Sequence, residues 1–557
     1  MDTKAKKITK TKTKSNQKNE LVVAVPRSVV KKKEKPLVKV ENKPVVKTTK
    51  KSLVKKEKMP ITKKLELKVV KTVDDGNKDK IKVLYVVSEC QPFCATGGLA
   101  DVAGSLPKFI QNNNPDFDVR VVLPMYSNIA EKFKKDFEYI GNTNIPLSWR
   151  SVYCGVFKYV LNNVTFYFLD NEYYFKRDGG IYSYYDDGER FAFTSRAVLE
   201  ILPLINFMPN IIHCNDWQTA LVPIYLKTVY ANNPNYQNIK TVFTLHNTEY
   251  QGKFDINLIS DLFGLDQRFL NVVEFNNNIN LVKGAVCCCD KFTTVSPSYA
   301  KEILQPEHSN GLEEIFKQNI YKTQGILNAI DYEFYCPKTD KELVKNYDEK
   351  SLAKRVENKL ACQKEFGLKI DENAPMLSMV TRMAKHKGLD LIRECLEGIL
   401  HNSDVQLIVV GGGDKEYEDY FNYLQNKYSD RVKALLGYSN PYSRKAYSSS
   451  DIFLMPSKSE PCGISQMVAS RYGAVPIVRE TGGLKDSIKD FGCEGGGNGY
   501  TFSGYNVNDL VYSINRAIND FRDKKSWQQK IKACITKDFS WSQSAKKYVE
   551  IYKQLLK

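Results

Sequence analysis

Cations, a carboxylate and two glycine turns recur in this 557-residue chain at one kind of place, the end of a short apolar run. The stretch "VTRMAKHKGLDLI" sets Arg382 at the end of such a run and Lys387 just before the next helical stretch. Two cations beside a glycine-containing turn suit a diphosphate that gains charge as it departs. "MPSKSEPCGISQ" puts Glu460 ahead of Pro461, Cys462 and Gly463, where a carboxylate can hold sugar hydroxyls or a ribose. Thr-Gly-Gly-Leu occurs twice, once with Thr96, Gly97 and Gly98 and once with Thr481, Gly482 and Gly483. A glycine pair between a strand and a helix lets backbone N–H groups approach an anion at the positive end of the helix. His213 and Asp216 close "NIIHCND", His246 and Asn247 close "TVFTLHN", and Gly411, Gly412, Gly413 and Asp414 follow "VQLIVV".

Taken singly, each feature has a plainer reading. Arg382 and Lys387 read as a solvated pair, Glu460 as charge complementing a helix N-terminus, His246 as structural, and Asp216 as a helix cap. Many strand–helix turns also use glycine for packing alone. Neither glycine turn is GxGxxG and neither is a Walker loop, so a nicotinamide or kinase reading lacks its main support.

Such residues need elements to hold them. From Lys82 short β-rich runs alternate with helical stretches: "KVLYVVSE", "VRVVLPM", "VTFYFLD", "NIIHCND", "KTVFTLHN" and "KFTTVSP". A second series begins near residue 375, with "MLSMVTRM", "VQLIVVGGGD", "VKALLGY", "DIFLMPS" and "AVPIVRE". Alternation of this kind predicts parallel sheets covered on both faces, and so an α/β fold of two Rossmann-like domains. In open α/β sheets ligands bind at the carboxyl ends of the strands, where these polar residues fall in both halves. Two such domains facing each other would place one ligand in a central cleft. The expected boundaries are a first domain over 81–325, a second over 326–538, and a helix over 539–557, capped at Ser540, that packs back on the first.

The net charge of +18 belongs almost wholly to one end. Residues 1–80 hold 26 Lys and Arg against 9 Asp and Glu, while the rest of the chain holds 56 against 55. The tail has no Phe, Tyr or Trp, cannot bury enough surface to offset its ordering entropy, and reads as disordered. Its plain role is a solvated extension, favoured over a weak, salt-sensitive polyanion contact. Reading the whole protein as nucleic-acid binding from its pI would be an error. No apolar run is long enough to span a membrane, no secretory signal is evident, and a transit peptide is a poor match. The 13 Cys show no CxxC pair, so a structural zinc site is not expected, and Cys287-Cys288-Cys289 reads as buried core packing.

The joint pattern resembles a family. "TGGLADVAGSLP", "HCNDWQTALVP", "LHNTEYQGKF", "TTVSPSYAKEI", "GILNAIDYEFYCP", "TRMAKHKGLDL", "DIFLMPSKSEPCGISQ" and "RYGAVPIVRETGGL" are similar to the motifs of bacterial and plant glycogen and starch synthases, retaining glucosyltransferases of the two-Rossmann-domain (GT-B) type. The resemblance runs over roughly residues 82–557 and leaves the tail outside. It implies that the first domain holds an α-1,4-glucan and the second a nucleotide-sugar, with ADP-glucose the usual bacterial donor. It implies catalytic roles for Glu460 at the donor glucose, Arg382 and Lys387 at the departing diphosphate, His246 at the donor sugar, and Asp216 in ordering the sugar site. The donor would further meet Ala95, Thr96, Gly97, Gly98, Asn328, Cys462, Gly463, Thr481, Gly482 and Gly483, and the acceptor Asp101, Tyr250 and Gln251. No metal and no cofactor are implied. The expected location is a bacterial cytoplasm, with a plastid the alternative only if the tail is an atypical transit segment.

Three positions depart from the family pattern. Ala95 stands where Lys usually reaches the donor phosphates, Ala329 where Gly usually makes a turn, and His386 where Gln is common. The first departure leaves open a weakly active or inactive glucan-binding relative, or UDP-glucose as donor.

Overall fold

The computed structural model describes residues 80–437 and 439–557, so the reading of residues 1–80 as a disordered, solvated tail, and the weaker alternative of a polyanion contact, lie outside the described residues but for Lys80. Two open sheets account for the strands that carry the site. Nine strands build the first: β1 (Ile81–Val86), β2 (Phe117–Pro124), β3 (Glu138–Leu147), β4 (Arg150–Leu161), β5 (Val164–Asp170), β6 (Ile211–Asn215), β7 (Lys240–Leu245), β11 (Lys291–Thr294) and β12 (Thr323–Gly325). Their order is β12-β11-β7-β6-β1-β2-β5-β4-β3. A small antiparallel sheet of β8 (Lys253–Asp255), β9 (Glu274–Phe275) and β10 (Asn278–Asn280) sits in the β7–β11 connection. The second large sheet is parallel throughout, in the order β15-β14-β13-β16-β17-β18, from β13 (Met376–Val380), β14 (Gln406–Gly411), β15 (Val432–Leu436), β16 (Ile452–Met455), β17 (Val475–Arg479) and β18 (Tyr500–Phe502).

The central strands are apolar because helices cover both faces. Val83, Leu84, Val86 and Val87 are fully buried, and each such side chain contributes roughly 1.5–3 kcal/mol by leaving water. The expectation of parallel sheets fails at one edge, where β4 runs antiparallel to both β3 and β5. The cause is local: Asn162 and Asn163 both adopt positive φ between β4 and β5, the conformation of a tight hairpin turn.

The chain passes from the first sheet to the second through Ile326–Pro337 and returns at its end. The helix Trp541–Leu555 begins at Ser540, whose side chain accepts from the Ser542 N–H, and it packs on the first half. Trp541 Nε1 donates to Ser105 Oγ at 2.8 Å, and Lys553 pairs with Asp116 at 2.7 Å. Ala329 is buried and keeps a negative φ, so the turn that usually takes glycine tolerates a side chain here. The cysteine triplet is only partly core: Cys289 is buried, whereas Cys287 is exposed because the helix Leu281–Cys288 turns it outward.

Candidate active site

The loop after β16 carries Glu460 inward. Its Oε2 accepts from Lys387 Nζ at 2.7 Å and from Ser457 Oγ at 3.1 Å, and the residue is 6% exposed. Lys387 comes from the loop after β13, so two parallel strands bring a cation and a carboxylate together. Arg382, on the same loop, is exposed and forms no ion pair among the described residues. Of the two cations expected at the donor, Arg382 is therefore free and Lys387 is neutralised by Glu460. Gly411 and Gly413 press against the carbonyls of Thr381 and Met383, so the glycine turn after β14 supports the Arg382 loop. His386 is half-buried, and burial and the neighbouring Lys387 charge hold its pKa below the usual range; Glu249, from the first half, opposes them.

The first half contributes its own polar cluster at the ends of β1, β6 and β7. Asp216 has a φ of 57°, a strained value for a residue other than glycine. That backbone aims Oδ1 at the His246 N–H, 2.7 Å away, and the side chain does not cap the following turn. Burial pushes the Asp216 carboxyl up to about 7, with the charge of Glu89 adding to the effect. Burial also holds the His246 imidazole down to about 3, so it is neutral at physiological pH. His213 is a different case: fully buried, it bonds Tyr552 OH and Thr244 Oγ1, both at 2.6 Å, and belongs to the core.

Thr96, Gly97 and Gly98 form an exposed lip leading into the helix Gly98–Asn113. Across from it lies the loop of Cys462 and Gly463, close enough that a Cβ on Gly98 would sit 3.2 Å from Ile464. Ala95, half-buried, brings no charge to this lip. One group here escaped sequence reasoning. Glu89 Oε2 accepts from the Thr96 N–H at 2.5 Å and from Thr96 Oγ1 at 2.7 Å, which places an internal carboxylate beside the turn. Burial pushes it up to about 7, while the Thr96 hydrogen bonds oppose that rise. Its signal was available, since Glu89 ends "VVSE" at a strand end like the other candidates.

Several expected contacts fall elsewhere. The second glycine turn is not an open lip. The Gly482 N–H donates to Glu302 Oε1 at 2.8 Å, Gly483 N–H to the Glu460 and Pro461 carbonyls, and Thr481 N–H to Arg479 O. Beside it Ser298 donates N–H and O–H to Asp486 at 2.7 and 2.6 Å, and Ser296 donates to Pro461 O at 2.6 Å. Thr481–Gly483 thus docks the second half onto the helix Pro297–Glu302 of the first, and its N–H groups are committed. Gln251, expected at the acceptor, is 3% exposed, and its amide ties Thr248 O, Asn310 O and Asn280 together. Asn328 is buried, and the Cys462 thiol is buried beside it. Tyr250 is exposed, and Asp101 accepts from Tyr335 OH at 3.3 Å, with burial raising its carboxyl to about 6.

Residues 82–318 match the starch synthase catalytic domain, and residues 361–533 match the glycosyl transferases group 1 domain. A glycogen synthase of Clostridium botulinum (strain Eklund 17B / Type B) is 45% identical over 479 residues, covering 85% of this chain and 99% of that protein. The chain belongs to the glycogen synthase family. A glycogen synthase of Bacillus subtilis (strain 168) is 43% identical over 85% of this chain and 98% of its own length. The catalytic domain of starch synthase IV from Arabidopsis thaliana, solved bound to ADP and acarbose, superposes with a TM-score of 0.80 at 31% identity, over 86% of this chain and 99% of that one. A sucrose-phosphate synthase from Thermosynechococcus elongatus, at 16% identity and a TM-score of 0.54, shares the fold. This member of the glycogen synthase family is accordingly a glycosyltransferase with the two-domain GT-B architecture. Among its described residues no helix is long and apolar enough to cross a membrane.

Proposed function

We propose that the chain transfers glucose from ADP-glucose to the non-reducing 4-OH of an α-1,4-glucan, with retention of configuration. The observation that carries this reading is the Lys387–Glu460 pair beside an unpaired Arg382. An arriving diphosphate would draw Arg382 and Lys387, and Glu460 would turn to the glucose as Lys387 does so. His246 and Asp216 order the sugar from the opposite half. Thr96, Gly97 and Gly98 face the phosphates, and Asp101 and Tyr250 lie toward the glucan. The residues named leave no nucleophile with an adjacent base, so a same-face transfer, with the departing phosphate taking the acceptor proton, fits better than a double displacement. A glucosyl adduct trapped on Glu460 or Asp216 would refute that mechanism.

Ala95 weakens the donor site without abolishing it. One missing charge-assisted hydrogen bond costs about 1–3 kcal/mol, which appears as a raised donor KM. Ala95→Lys should lower the KM for ADP-glucose by roughly 5- to 160-fold with little change in kcat. Assays with ADP-glucose and UDP-glucose in parallel also settle the donor: a higher kcat/KM with UDP-glucose would overturn the ADP-glucose assignment. The cytoplasm is the proposed location. Salt-sensitive sedimentation with RNA that vanishes on deleting residues 1–80 would mark the tail as a polyanion contact.

A further inference from the structure

The orientation of Asn215 decides which nitrogen of His246 carries the proton. Asn215 ends β6 and is fully buried. Its Nδ2 donates to the Val86 carbonyl at 3.2 Å, and that oxygen can only accept, so the amide cannot be reversed. Its Oδ1 therefore faces the other way. It accepts from Tyr85 OH at 3.1 Å and lies 3.1 Å from His246 Nε2. An amide oxygen has no proton to give, so Nε2 must donate. In a neutral imidazole the proton on Nε2 leaves Nδ1 bare, an acceptor with no partner among the described residues. The backbone of the same residue is held independently by Asp216 Oδ1.

We propose that Asn215, steadied by Tyr85 and Val86, is a positioning residue that locks His246 in the Nε2–H tautomer and presents Nδ1 as an acceptor for a hydroxyl of the transferred sugar. A bare nitrogen accepts from O–H and repels phosphate or carboxylate oxygen, so this corner of the cleft selects for the sugar and against the diphosphate. The sugar assignment rests on the function proposed above, whereas the tautomer does not.

Two measurements test it separately. Magic-angle-spinning NMR of ligand-free protein labelled with ¹⁵N-histidine reports both ring nitrogens of each imidazole. The chain has 5 His, and loss of one signal set in His246→Gln assigns the one concerned. A protonated Nε2 with a bare Nδ1 is expected in the wild type and in Asn215→Asp, which keeps an acceptor oxygen, but not in Asn215→Leu. A protonated Nδ1 in the wild type would overturn the proposal without the use of any variant. The second measurement compares donors that lack one sugar hydroxyl at a time. One deoxy analogue should lose roughly 5- to 15-fold in kcat/KM with the wild type and far less with Asn215→Leu. A bare Nδ1 with every analogue discriminated equally by both proteins would instead refute the placement of the donor sugar at His246.

Discussion

At the scale of single residues, the cleft is built from acids and a histidine that burial keeps near neutrality. Glu89 and Asp216 both sit near 7, raised first by burial. A carboxyl whose folded pKa is raised contributes stability that is complete below its unfolded value and declines as pH climbs through the folded one. The protein should therefore lose stability between about pH 4 and 7 through these two groups. Glu89→Gln keeps an acceptor for Thr96 and removes the charge. Its melting temperature relative to wild type should rise between pH 5 and 8, reflecting about 3 kcal/mol. A difference that stays flat with pH would count against an uncharged, buried Glu89. The strand-end logic made Glu460, Arg382, Lys387, His246 and Asp216 legible in the sequence. Gln251 was not, because its burial comes from a partner, Asn280, that lies 29 residues away and carries no local signal.

At the scale of elements, the two Thr-Gly-Gly-Leu turns look alike in sequence and act differently in the fold. The first is exposed beside Glu89; the second is a docking surface whose Gly482 N–H meets a carboxylate 180 residues earlier in the chain. No periodicity encodes that distance, whereas the antiparallel edge had a readable cue in Asn162-Asn163. Gly482 has a φ of 44°, and a Cβ there would stand 2.0 Å from the Glu460 carbonyl. Gly482→Ala should thus destabilise by about 2–4 kcal/mol and lower kcat by displacing the Glu460 loop. Gly398, in the helix Leu389–Asn402, meets nothing within 4 Å, so Gly398→Ala should stabilise by about 0.5–1 kcal/mol and leave kcat unchanged. Thermal melts and steady-state rates on the pair separate a site effect from a general loss of glycine.

At the scale of the molecule, two sheets present the ends of their strands to one site, and the last helix closes back on the first sheet. Tyr552 of that helix bonds His213 beneath the strand ends that carry Asp216 and His246, so the chain terminus supports the floor of the site. The two-sheet plan followed from alternating strand text in both halves. The docking that brings the Glu460 loop against the first half depends on Ser296, Ser298 and Glu302, whose partners lie 165, 188 and 180 residues further along the chain and leave no local signal. In the proposed function Glu460, held by Lys387, carries glucosyl transfer from a nucleotide-sugar to a glucan. The most direct measurement is incorporation of labelled glucose from ADP-glucose into glycogen by the full chain, beside Glu460→Gln. Steady incorporation released by α-1,4-specific hydrolysis is expected, with a kcat about 10²–10³-fold lower in the variant and its fold intact by circular dichroism. No incorporation from ADP-glucose or UDP-glucose at millimolar concentration, or equal rates for the two proteins, would contradict it.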